Sequence, residues 1–570
     1  VNDLSFRFDF NHLDGTSQPV GYQTNTSPTG PTGTSGAVPA LSNYAMPGSV
    51  IGETQLYNTI QDNFKWKLAY DINPELKASY TLGMWENQQE GTLNSWLRTA
   101  QGATSWTGWT SKPSLAKQTT WSHGMNLHSE TGGKFDWELI GSVVDLSRDT
   151  NGQAASSNTF DAAPLGGNAT LTSLTGTNWH TVDAKGIWRP GDFYGNHEVS
   201  FGFHHDLYEL KNPVYKTNDW KSDSYLPLSA TNTGSGNSEG KTQVEAYWLQ
   251  DAWDFAKEWN FTYGGRLESW HAYDGINAAI DGSTYRTISQ PETNSVNFSP
   301  KGKLTWNATE RLKLGAAIAQ AYRYPTVTEL YQTVSVSNIT YTSNPYLKPE
   351  KALSSEISAE YFVDKGKVRL SFFQEQVENP IYSTLTTLSS GALTSYSSKL
   401  TNVGQTDTYG IEVSADKSDA LLDGLDLFGT VTWADARITD NTVSDALLAA
   451  HPQSTSTNLL ANAPSTGKLV PRIPDWRASF GLTYRATDKL SGSVNGRYSG
   501  SSFSNVNNSD REHNAYQGNS SYFVVDTKLN YKLTKQFTLS GGIDNINDCQ
   551  YIIFHPFPGR TYMAQLKFNY

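Results

Sequence analysis

Side chains able to do chemistry are sparse in this 570-residue sequence and rarely grouped. A lone cysteine, Cys549, excludes a disulfide or a cysteine-built zinc or iron–sulfur site within these residues. His123, His128, His180, His271, His451 and His513 are scattered without metal-ligand spacing. The adjacent pair His204-His205 reads as strand, where neighbours point to opposite faces and cannot chelate one ion together. Parity with Glu198, Ser200 and Gly202 places His204 on the polar face; His205 falls with Val199, Phe201 and Phe203. No metal site is expected. Catalytic motifs are missing as well: no Gly-x-Ser-x-Gly elbow, no His-Glu-x-x-His, no phosphate-cradling glycine loop. Asp251 and Asp254 could form a glycosidase-type carboxylate dyad, but solvated acids on a wall or rim are the plainer account. The chain is therefore read as a non-enzyme that needs no cofactor.

The residues most suited to recognition are aromatic. The chain holds 17 Trp, 30 Tyr and 23 Phe. Many stand in polar stretches, namely Trp96, Trp106, Trp109, Trp220, Tyr331, Tyr341, Tyr346 and Tyr382. Flat rings there give large contact area at low entropy cost, as a solute-binding vestibule requires. The candidate ligand contacts are Trp106, Trp109, Trp220, Tyr331, Tyr341 and Tyr346, together with Arg323. The competing reading is that the rings pack loops together and that Arg323 holds its own loop; for Arg323 the structural role is favoured.

What positions these residues is a repeating pattern of alternation. In Thr561–Tyr570 the even positions are Tyr, Ala, Leu, Phe and Tyr, and the odd ones are Thr, Met, Gln, Lys and Asn. A period of two sets these on opposite faces of a strand about ten residues long, enough to cross a bilayer when tilted. The pattern recurs at Phe523–Tyr531, Trp476–Tyr484, Leu425–Trp433 and Ile357–Val363, often with rings at the ends of the apolar face. Arg477, Arg497, Lys528 and Lys567 fall on the lumen side of these strands. Short polar turns such as Asn73-Pro74-Glu75, Thr131–Lys134 and Asp364–Lys367 alternate with long stretches rich in Ser, Thr, Asn and Gly. That asymmetry belongs to outer-membrane barrels. No run approaches the ~18 apolar residues of a spanning helix. Charged residues are 17%, and the net charge of −12 makes nucleic acid an unsuitable partner. The expected architecture is an all-β, closed, transmembrane antiparallel barrel of about twenty strands, one domain over 1–570, with both ends on the periplasmic side.

Several segments resemble TonB-dependent outer-membrane receptors of the siderophore-receptor kind. They are Ala321–Tyr331, Asn344–Glu350, Thr401–Gly404 followed by Tyr409–Glu412, and the end Asn545–Tyr551, Pro558-Gly559-Arg560 and a strand closing on an aromatic. The resemblance implies a 22-stranded barrel holding a plug. On that reading the plug and first hairpin lie upstream of the sequence given, along with the motif that engages TonB. It also implies a monomer in outer-membrane lipid that actively imports a scarce bulky ligand. A ferric siderophore fits best, with cobalamin, a copper chelate or an oligosaccharide as other classes. A passive porin and a secreted polysaccharide hydrolase are the readings from other classes.

Overall fold

The computed structural model describes residues 3–155, 169–191, 194–226, 233–281, 284–336, 339–390, 393–442 and 464–569. Alternating residues of opposite polarity extend the chain as strands, because only the extended backbone sends alternate side chains to lipid and to water. The main sheet has 23 strands. Three short ones, Val38–Leu41, Ala169–Ser173 and Thr284–Ser289, are loop strands added at its outer end, which leaves twenty in the wall. In chain order these are β1 Leu4–Asn25, β2 Pro47–Asn73, β3 Leu76–Ser95, β4 Ser114–Ser129 and β5 Phe135–Ala154. Next come β6 Asn178–Trp188, β7 Asn196–Thr217, β8 Thr233–Ala256, β9 Trp259–Asp281 and β10 Thr293–Asn307. Then follow β11 Leu312–Arg323, β12 Glu350–Val363, β13 Gly366–Glu378, β14 Gln405–Lys417 and β15 Leu425–Asp440. The last are β16 Trp476–Arg485, β17 Leu490–Ser499, β18 Tyr522–Lys532, β19 Phe537–Asp544 and β20 Thr561–Phe568.

Each wall strand pairs antiparallel with the next, and the register carries one apolar face around the sheet. Phe568 stands opposite Phe537, Leu566 opposite Leu539, and Leu539 opposite Tyr531. Far along the wall Ile357 faces Phe372 and Phe261 faces Leu304, and at its start Phe6 faces Leu68. Most of these side chains are exposed, with Leu68 and Phe261 half-buried, as a lipid-facing surface allows. At the periplasmic end the outward rings run in sequence: His197 stacks on Trp253, then come Phe255, Trp259 and Trp306, each ring centroid 5.1–6.1 Å from the next. This is an aromatic girdle.

The expected closure is not seen among the described residues. β1 pairs only with β2 and β20 only with β19, so both outer edges lack a ladder partner. Among the described residues the two ends touch where Gln18 Nε2 on β1 donates to the Pro556 carbonyl at 3.1 Å and Tyr22 on β1 packs edge-on to Tyr516.

Apolar packing is concentrated above the wall. All four buried hydrophobic clusters found among the described residues involve the loops on the outer side. A barrel wall two-sided to lipid and lumen has no core of its own, so the loops build theirs against one another and against the strand ends.

Candidate functional site

The loop between β11 and β12 turns into the lumen. Its sequence dictates how: Thr326 caps the short helix α1, Val327–Tyr331, and Glu329 answers in a reciprocal capping box. Apolar Val327, Leu330 and Tyr331 then form one face, which buries with Leu347 against Leu210, Trp270 and Ala272 on the inner side of β7 and β9. Tyr331 is 1% exposed. Its ring fills a notch made by Gly240 on β8 and Gly275 on β9, where an added Cβ would stand 2.3 and 2.4 Å from the ring. Asn277 Nδ2 donates to the Tyr331 carbonyl at 2.6 Å, and Tyr324 stacks on Trp270 at 5.6 Å. Burial pushes the Tyr331 and Tyr324 hydroxyls up to about 12.

Arg323 ends β11 on the lumen side and clamps this loop. It donates to both Glu350 oxygens at 2.8 and 2.6 Å and to both Glu329 oxygens at 3.1 Å. These bonds raise the guanidinium pKa further, Glu350 being the largest cause. Glu350 also accepts from the Ile381 amide at 2.6 Å, which fixes the neighbouring hairpin Ile381–Asn402. The guanidinium remains 44% exposed. The hydrogen bonds tie Arg323 to Glu329 of its own loop and to Glu350 at the start of β12.

The remaining candidates are not brought together. Trp106 and Trp109 pack edge-to-face at 5.0 Å, and Trp109 is buried against Ile51 and Leu97. Trp220 is buried with Leu115, Ala154 and Ala169 on the outward face of β4 and β5. There Lys221 pairs with Glu90 at 2.7 Å, and Asp223 pairs with Arg148. Loop packing thus accounts for Trp109, Trp220 and Tyr331. Tyr346, beside buried Leu347, is 74% exposed. Tyr341 lies in the strand Ile339–Thr342, and its side chain is outside the described residues.

The inner wall supplies residues that the sequence reading passed over. Trp179 on β6 stacks on Tyr208 of β7 at 5.8 Å. Nearby Asn87 of β3 donates to Gln118 of β4 at 2.9 Å, which donates to Asp149 of β5 at 3.2 Å. Lower down, His204 lies 2.7 Å from Asp183, while His205 points outward to Glu245 at 3.7 Å, the split that strand parity requires. Arg497 pairs with Asp526 across the lumen face. The signal for Trp179 was its alternation with Asp183, a lumen parity that β6 shares with its neighbours.

A twenty-stranded antiparallel wall with an apolar outside, a polar lumen and loops folded into its mouth is the architecture of an outer-membrane β-barrel. The chain belongs to the family of the TonB dependent receptor-like β-barrel, matched over residues 2–546. It is 22% identical over 363 residues to the iron-regulated outer membrane virulence protein of Vibrio cholerae, covering 62% of this chain and 46% of that protein. It is 22% identical over 431 residues to the catecholate siderophore receptor Fiu of Escherichia coli, covering 71% and 50%. The chain spans about half the length of these curated relatives. Among solved structures, the copper transporter OprC superposes with TM-score 0.66 at 14% identity, over 99% of this chain and 76% of that one. The siderophore receptor PiuA from Acinetobacter baumannii does so with TM-score 0.64 at 14% identity, over 100% and 78%. At such identities these two show the shared fold.

Proposed function

We propose that this barrel is the transport body of a receptor that imports a ferric siderophore across the outer membrane, energised through TonB. The observation that carries the reading is the loop docked in the lumen mouth. It carries exposed Tyr346 and the part-exposed Arg323 guanidinium, and the inner wall carries the stacked rings of Trp179 and Tyr208, surfaces that suit a bulky, weakly charged, partly aromatic chelate. The names of the Vibrio and Escherichia relatives support iron uptake. The two unpaired sheet edges support a further hairpin between β1 and β20, and the family relationship supports an upstream plug with a TonB-engaging segment.

The test is a binding titration of the purified protein with ferric siderophores, cobalamin and oligosaccharides, alongside growth under iron limitation. Tyr346→Ala is expected to weaken ferric siderophore binding by about tenfold, roughly 1.4 kcal/mol. Tight binding of cobalamin or an oligosaccharide, with no ferric siderophore bound, would reassign the ligand. Unchanged affinity in Tyr346→Ala and Arg323→Ala would remove this rim from the site.

A further inference from the structure

The wall sorts its charges by face. On β3–β7 the register gives Glu90, Lys117, Arg148, Glu209 and Lys211 the outward parity. There they pair with one another or with Lys221 and Asp223 of the loop folded onto that side. The lumen face keeps a different set. Trp179 of β6 stands opposite Tyr208 of β7, which stands opposite Thr242 of β8. One step toward the periplasm on the same face come Thr181, Asp206 and Val244, and the next step brings Asp183, His204 and Ala246. His204 Nδ1 lies 2.7 Å from Asp183, and its Nε2 lies 3.5 Å from Asp206.

On the other flank Asn87 of β3, Gln118 of β4 and Asp149 of β5 stand in a hydrogen-bonded row. Asp149 is within electrostatic reach of the Tyr208 hydroxyl. From the level of Asp183 to that of Asp149, this face of β3–β8 holds rings, side-chain amides, His204 and the carboxylates of Asp149, Asp183 and Asp206. No lysine or arginine of these strands shares it. The nearest lies one step below Asp183, where Lys185 stands opposite Glu138. The groups are open to solute: Trp179 is 36% exposed, and the Asp183 and Asp206 side chains 40% and 42%. On other wall strands Arg323 is held by Glu329 and Glu350, and Arg497 by Asp526, while Arg477 stands on β16, across the lumen.

We infer that the chelate this receptor takes is neutral or cationic, a ferric hydroxamate and not a ferric catecholate. The inference rests on the reading of the protein as a siderophore receptor. Three hydroxamates cancel the charge of Fe(III) and leave a chelate rich in amide-like groups, which Gln118 and its neighbours can match. A pendant ammonium would lie toward Asp149 or Asp206, as a charge-assisted donor. Three catecholates leave a trianion, which the same carboxylates repel. At physiological salt that repulsion is screened over about 8–10 Å, so the separation in affinity should be about tenfold and not many orders of magnitude.

Titration of the protein purified from outer membranes, followed by quenching of tryptophan fluorescence, tests this with three chelates of different charge. They are ferrioxamine B, a monocation, ferrichrome, which is neutral, and ferric enterobactin, a trianion. The tighter of the first two is expected to bind about tenfold more strongly than ferric enterobactin. Asp149→Asn combined with Asp206→Asn should narrow that gap by about threefold or more. Ferric enterobactin binding as tightly as the better hydroxamate overturns the inference, as does a gap unchanged in the double variant. If that variant fails to fold, shown by loss of the heat-modifiable gel shift, the three wild-type affinities still decide. Binding of none of the three would overturn the siderophore reading and this inference with it. Preference for ferric enterobactin would leave that reading standing and remove the charge class alone.

Discussion

Removing the Tyr331 side chain probes whether the β11–β12 loop is a docked element or a loose rim. The ring is almost wholly enclosed, packed in a notch of two glycines and against Leu330, Leu347 and Trp270. Truncating a buried aromatic to alanine costs about 3–5 kcal/mol in transfer and cavity terms. The wall strands keep their ladders, so the loss should fall on local opening of the loop and not on the barrel. At 1.4 kcal/mol per tenfold, amides of Val327–Tyr331 and Asn344–Leu347 should exchange with deuterium about 100- to 4000-fold faster. Heat-induced unfolding of the wall should be unchanged. Hydrogen-exchange mass spectrometry reads both at once. Gly240→Leu, which drives a side chain into the same notch, should expose the same segment. Unaltered protection in both variants would refute the docked-loop reading.

Other outcomes follow from the same geometry. Leu566→Lys, on the lipid face, should cost about 2–4 kcal/mol if the position lies near the midplane, whereas Lys567→Leu on the lumen face should be mild; folding into lipid vesicles measures both. Arg323→Lys should keep the charge but not the two-nitrogen fork to Glu350, so hydrogen exchange of the strands Ile381–Ser390 and Leu393–Asn402 should rise as in Arg323→Ala. Burial holds the Tyr331 and Tyr382 hydroxyls at about 12, so folding favours their neutral forms. Their stabilisation is complete below the ordinary tyrosine value of about 10 and declines as pH rises from there toward about 12. Loop protection should fall over that window, less steeply in Tyr331→Phe.

The wall was legible in the sequence because its physics is one-dimensional. Alternation at Tyr562, Ala564, Leu566 and Phe568 fixes which face meets lipid, and the observed register carries that face from β20 to β1. The short turns and the count of twenty strands came from the same signal. The loops were not legible, because what each ring touches depends on contacts between distant segments. Trp109 meets Ile51 and Leu97, Tyr331 meets Leu210 on β7, and Trp220 folds down the outside of β5. Nothing local to a tryptophan in a Ser/Thr-rich stretch distinguishes burial under a loop from exposure in a vestibule. Trp179 went unremarked for the converse reason: it is a recognition-type ring on a wall strand.

The open seam between β1 and β20 can be argued from the membrane itself. Hydrocarbon cannot satisfy the N–H and C=O groups of a sheet edge, so both edges must be paired wherever they lie within the bilayer. β1 runs outward and β20 runs inward, so they can meet directly as antiparallel neighbours or across an even number of inserted strands. Phe6 and Leu566 are both outward-facing and third from the periplasmic ends of their strands, and so stand at about the same height. Direct pairing would bring their Cβ atoms to about 5 Å, whereas an inserted hairpin would separate them by three strand spacings, about 14 Å. Phe6→Cys with Leu566→Cys, in a chain with Cys549→Ser, distinguishes these in native outer membranes. With a hairpin in place, oxidation should give no disulfide and a bismaleimide of about 14 Å reach should crosslink the pair. Ready disulfide formation would mean that the twenty strands close on themselves, and the inserted hairpin would have to be abandoned.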